Sequence, residues 1–228
     1  EALAWGSNLD WGFNKHPPAS AFLVEIFYRI FGANDWAYYL LSQICVTVAF
    51  FVVWKLSEDF LKNKIHSLIA VLLLEGIYYY NYTSPEFNVY VCELPFWALT
   101  VYFAWEGYNK NNVKSWILLG VFSAIGFLSH YLFIYLLLGI KIFFWHRILK
   151  DRKFDFKYFI SGIIFILIII PHLLWLKENN FTTVTYGMHR TGLENFDFFD
   201  HFTHPFIFFA KQIGILIPFF VMLLLLIS

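Results

Sequence analysis

Apolar runs recur along this chain at roughly 19–31, 36–56, 67–82, 88–105, 116–129, 131–146, 158–176 and 205–227. A helix needs about 20 such residues to cross the hydrocarbon of a bilayer, and its backbone must be satisfied inside the segment. Only 14% of the residues are charged and 60% are hydrophobic, whereas about a quarter are charged in an average soluble domain. The chain is therefore read as an all-α, polytopic transmembrane helical bundle. Run 19–31 is short and carries Glu25 and Arg29, which suits a helix lying in the interface. Runs 116–129 and 131–146 read as two short tilted spans joined at Ser129-His130-Tyr131, because one helix through both would overshoot the bilayer.

A net charge of zero, with no lysine- or arginine-rich run, gives no surface for nucleic acid. Cys45 and Cys92 lie within apolar runs and read as small core residues. The chain starts at Glu1 and stops at Ser228 inside an apolar run, so residues 1–228 are expected to be one membrane domain cut from a longer protein. Basic residues gather in the connections Lys55 to Lys64, Lys110 to Lys114 and Arg147 to Lys157. By the positive-inside rule these face the cytoplasm. Loops 1–18, 82–88, around 130, and 177–204 then share the opposite face, with Tyr78, Tyr79, Tyr80, Tyr82, Trp175 and Phe181 at the boundary favoured by amphipathic rings.

The first of these loops concentrates polar chemistry. Glu1, Lys15 and His16 precede Pro17-Pro18, and the prolines force an abrupt break before the run from Ala19. Charges held at a membrane edge suit chemistry on a phosphate carried by a lipid. Lysine near an interface also anchors without any ligand. Glu75 and Glu93 fall inside apolar runs, near the outer face, where pairing with a tyrosine or another helix is the leading reading. Asp200, His201 and His204 have a metal-like spacing but lack a further ligand, and read as surface polar residues.

Several motifs occur in order: Glu1-Ala2, then Trp11-Gly12-Phe13-Asn14-Lys15-His16-Pro17-Pro18, Thr83-Ser84-Pro85-Glu86, Gly126-Phe127-Leu128-Ser129-His130-Tyr131 and Pro171-His172-Leu173-Leu174-Trp175. Together they resemble the polytopic glycosyltransferases of the protein-mannosyltransferase and lipid A aminoarabinose transferase kind. The resemblance implies the C-type glycosyltransferase membrane fold, with 1–18 as first outer loop. It also implies transfer of a sugar from a polyprenyl-phosphate donor to a lipid, glycan or protein hydroxyl.

It implies site roles as well. Glu1 matches the second member of an Asp-Glu pair whose Asp, the catalytic base, would stand just before this chain. Lys15 and His16 match the basic position that faces the lipid phosphate. Glu86 occupies an acidic position in the family, although a carboxylate at the start of a helix is equally a dipole effect. His130 stands where lysine is more usual, which weakens the case for a fixed charge. His189 and Arg190 are loop cations within possible reach of phosphate or sugar. No cofactor is called for, and a divalent metal stays open. The expected setting is a bacterial inner membrane with the site facing the periplasm. The alternative is a transporter or flippase of lipid-linked intermediates, whose sign would be repeated spans with broken helices; no such repeat is visible. A non-catalytic membrane scaffold would show polar loops without convergence.

Overall fold

The computed structural model describes residues 2–152, 155–190 and 198–227. The order is α1 Ala2–Gly6, α2 Ala19–Phe31, α3 Asp35–Leu61, α4 Lys64–Leu72, α5 Tyr78–Asn81, α6 Val89–Lys110, α7 Val113–Ser129, α8 Ile134–Asp151, α9 Lys157–Glu178, α10 Thr182–Arg190 and α11 Asp200–Ile227. Short 3₁₀ turns, Leu73–Gly76 and Tyr131–Phe133, precede α5 and α8. No strand occurs among the described residues. The segments Asp35–Leu61, Tyr131–Asp151, Lys157–Glu178 and Asp200–Leu226 are long and apolar enough to cross a membrane. The chain is thus an integral-membrane helical bundle.

Two tight corners at one end of the bundle follow from the same local chemistry. Lys62 and Asn111 adopt left-handed backbone angles (φ 50° and 48°) that stop α3 and α6. The next residue in each case is an asparagine whose side chain accepts the first amides of the following helix: Asn63 from Ile65 and His66, Asn112 from Ser115. A reversal of helix direction therefore needs only two residues. Polar pairs tie the same end together. Glu106 meets Lys110 at 2.6 Å and accepts from the Ser115 hydroxyl at 2.7 Å, while Tyr108 donates to Asp151 at 2.6 Å and receives the Arg147 guanidinium.

Helices α3, α6, α7 and α9 pack in a row through small side chains set against larger apolar ones. Ala49, Val52 and Ala98 join α3 to α6, and Ala104, Trp116 and Leu119 join α6 to α7. Ala19, Ala124, Leu128 and Ile169 bring the start of α2 against α7 and α9. Outside a hydrophobic solvent contrast, close packing of small residues is what holds membrane helices together. At Gly120 a Cβ would lie 2.6 Å from the Ser161 carbonyl oxygen, so α7 and α9 approach closely because that atom is missing. The α11 span buries none of its apolar window within the chain.

Two expectations need correction. Run 67–82 is not one helix but α4, a 3₁₀ turn and α5, because α11 crosses there: a Cβ on Gly76 would stand 2.7 Å from the Phe219 backbone. Segment 177–204 is not simply a loop, since it contains α10. The break between 116–129 and 131–146 falls at His130, as expected.

Candidate functional site

The first loop is pinned at successive residues by α9 and α10. The Trp175 indole donates to Asp10 Oδ2 at 2.7 Å, and His172 Nδ1 lies 2.6 Å from the Trp11 carbonyl. Thr183 donates its hydroxyl to the Phe13 carbonyl. Between these anchors, Gly12 sits so close to Trp175 that a Cβ would overlap its ring at 2.3 Å. A carbonyl only accepts, so His172 Nδ1 carries a proton, and the Tyr131 hydroxyl meets Nε2 on the other side of the ring at 2.7 Å. Fully buried His172 therefore couples the loop to the start of the α8 span.

The pinned loop closes back on itself, with the Phe13 amide donating to the His16 carbonyl at 3.1 Å. Trp5 from α1 stacks on Phe13 and meets the edge of His16, at 5.3 and 5.7 Å. Buried Pro17 and Pro18 then lead into α2, whose first amide bond runs from Phe22 to the Pro18 carbonyl. Proline at a helix start loses no helical donor, which is why the break is abrupt.

Beside this loop lies a cavity of about 340 Å³ lined by Lys15, His16, Tyr90, His130, Tyr131, Thr183, Tyr186 and Arg190. The structure thus brings together the adjacent Lys15 and His16 with His130 and Arg190 from two distant parts of the chain. His130 packs between His16 and Tyr90, with ring centroids 5.7 and 5.1 Å away. Burial, and then the positive fields of His16 and Arg190, push its imidazole down to about 4. At neutral pH it is therefore uncharged. Glu93, on α6, is buried to 7% exposure, and its Oε2 lies 3.9 Å from His130 Nδ1. Neither His130 Nδ1 nor Glu93 Oε1 has a hydrogen-bond partner among the described residues. A buried polar atom left unpaired costs about 1–3 kcal/mol.

Glu86 is elsewhere. It lines a second cavity, of about 240 Å³, with Ala2, Leu3, Val24, Asp35, Tyr38, Tyr39 and Phe87. His189 is among the lining residues of neither cavity. Glu1 lies outside the described residues. Glu75 is exposed and lines a groove with Lys211 of α11. His204 pairs with Asp200 at 3.6 Å on the first turn of α11, and the described residues contain no group of three or more metal-type side chains.

Sequence reasoning gave no site role to Asp10, Tyr90 or Thr183, quoted Tyr131 and His172 only within motifs, and read Glu93 as pairing with a tyrosine or another helix. The polar side chains of His172 and Glu93 inside apolar runs were the available signal, since such residues are costly at membrane depth. The contacts that give them meaning span up to 170 positions, as from Thr183 to Phe13.

A sequence model of the family described as dolichyl-phosphate-mannose-protein mannosyltransferase matches residues 15–175. That match covers well over half of the chain and runs from Lys15 in the pinned loop to Trp175, which pins it. No curated protein and no solved structure matches the chain.

Proposed function

The chain belongs to the dolichyl-phosphate-mannose-protein mannosyltransferase family of membrane glycosyltransferases, and from that premise we propose that its cationic cavity holds the phosphate of a polyprenyl-phosphate-linked sugar. The sugar passes to a hydroxyl of a lipid, glycan or protein acceptor on the outer face of the membrane. The observation that carries this reading is the meeting of Lys15, His16, His130 and Arg190 around one cavity at the end of the bundle.

In a single displacement, the acceptor oxygen attacks the anomeric carbon as the bond from that carbon to the phosphate oxygen breaks. Negative charge gathers on the departing polyprenyl phosphate, and the proton leaves the acceptor for a carboxylate. Lys15 and Arg190 meet the growing phosphate charge from within a pre-formed wall, where little reorganisation is needed. The loop that carries Lys15 is fixed by Trp175, His172 and Thr183, which supports a positioned rather than a floating cation. The proton acceptor belongs to the start of the first loop, with Glu1 beside it. Glu86 and Asp35, facing Ala2 and Leu3 in the second cavity, serve the acceptor side. The donor is thereby received at a basic cavity and the acceptor at an acidic one.

Replacing Lys15 and His16 together by alanine tests the reading. Charge-assisted contacts are worth about 1.5–3 kcal/mol each, so losing one or both weakens donor binding at least about tenfold. Binding of a polyprenyl-phosphate sugar in detergent, measured beside the thermal midpoint, is the check. Unchanged donor affinity in the folded double variant removes the phosphate from this cavity.

A further inference from the structure

We propose that Glu93 and His130 act as one protonatable pair that takes up a proton from solution when a lipid phosphate enters the cationic cavity. The inference rests on the phosphate-binding reading above and adds to it a proton. His130 lines the cavity while its Nδ1 lies 3.9 Å from Glu93 Oε2, beyond hydrogen-bonding range but within reach of a small ring rotation. On each side of that gap one buried polar atom has no hydrogen-bond partner among the described residues: His130 Nδ1, and Glu93 Oε1 on the same carboxylate as the nearer Oε2. A neutral imidazole facing a phosphate offers one donor; an imidazolium offers two, one for the anion and one for the carboxylate behind it. Protonation therefore satisfies both partners at once, and an anion in the cavity supplies the field that makes it favourable.

The groups around His130 decide the sign. Tyr90 and Glu93 face it from α6, Lys15 and His16 from the first loop, Tyr186 and Arg190 from α10, and Tyr131 follows it in the chain. Burial, His16 and Arg190 oppose a charge on the imidazole, which is why it titrates low. Phosphate partly neutralises Lys15 and Arg190 and adds its own negative field, so proton affinity is higher in the complex than in the free protein. The added affinity is fully present below the titration of the free protein and is lost as pH rises through the titration of the complex, leaving the grip of Lys15 and Arg190. Such a cavity grips its anion in proportion to proton supply, a property that fixed lysine or arginine charges cannot give.

The probe is farnesyl methyl phosphate, a phosphodiester that does not itself titrate near neutrality, so any proton taken up belongs to the protein. Calorimetric titration of the detergent-solubilised protein at several pH values, in two buffers of different ionisation enthalpy, should show net proton uptake on binding that grows as pH falls toward neutrality and below. The Kd should rise by up to about tenfold per pH unit across the transition. His130→Lys should bind with an affinity flat in pH and no uptake, because its charge is permanent. Glu93→Gln should move the transition to lower pH and reduce the uptake, whereas a merely structural Glu93 would change the thermal midpoint and leave the pH profile in place. His16→Gln should weaken binding and keep the uptake.

Wild-type binding that is flat in pH and takes up no proton overturns the proposal while leaving the phosphate site standing. So does uptake that survives His130→Lys, or that disappears only in His16→Gln. Failure of the probe to bind at any pH instead overturns the phosphate reading beneath it.

Discussion

Gly12 is the residue on which the loop geometry turns. Its missing side chain lets the Trp175 ring lie flat against the loop, where a Cβ would stand 2.3 Å from ring carbon. The neighbouring contacts, from Trp175 to Asp10 and from His172 to Trp11, exist only at that separation. Gly12→Ala forces the ring or the loop aside. Overpacking of this kind costs about 1–3 kcal/mol, and here the displacement is passed three residues on to Lys15. The expected outcome is a lowered thermal midpoint together with a loss of donor affinity; a variant that binds donor as well as the wild type would show that the clamp does not position Lys15. At this scale the sequence was partly legible. Lys15, His16, His130 and Arg190 could be picked out because charge and imidazole are conspicuous in an apolar chain. His172 could not be joined to Trp11, because nothing local to either residue says that the fold brings them into contact across 161 positions of chain.

At the scale of elements, length and hydropathy were enough to find α3, α6, α7, α8, α9 and α11, since a span is specified by its own composition. They were not enough for α4 and α5, where an unbroken apolar run hides a 3₁₀ turn made by the crossing of α11 at Gly76. Helix α10 was missed for the opposite reason. It is polar by composition and is held through buried Thr183 bonding to Phe13, a tertiary contact that carries no periodic signature. The corner between α7 and the α8 span illustrates how such contacts fix a site. Phe133 is fully buried against Gly126, where a Cβ would meet its ring at 2.3 Å, and His130 is carried on the backbone between them. Gly126→Ala is expected to lower the thermal midpoint and disturb His130. Adding Phe133→Leu, which frees room at the same spot, should restore part of the loss. Additive destabilisation in the double variant would mean that the two residues do not share this contact.

At the scale of the whole molecule, the long helices after α2 run back and forth, so that alternate connections between them meet at the same end. The first loop, His130 and α10 are joined at one end by the cavity they line. The two-residue corners at Lys62-Asn63 and Asn111-Asn112, with the Tyr108, Arg147 and Asp151 network, form the other. This convergence of polar groups at one end is what a transferase site requires, and a transport passage would instead need polar groups along the depth of the bundle. Basic residues favour the corner end: Lys55, Lys62, Lys64, Lys110, Lys114, Arg147, Lys150, Arg152 and Lys157 all belong to it or border it. That bias, through the positive-inside rule, is the ground for proposing that the corner end faces the cytoplasm and the cavity the outside. Cysteine labelling tests the arrangement cleanly, because native Cys45 and Cys92 are both buried. Cysteines placed at exposed Asn8 and Thr185 should react with an impermeant maleimide on intact cells, and one at exposed Lys114 only after permeabilisation. Labelling of all three from the same side would break the helix alternation itself. The inverse pattern would keep the bundle but turn the cavity to the cytoplasm, where the donor would have to be met from the opposite leaflet.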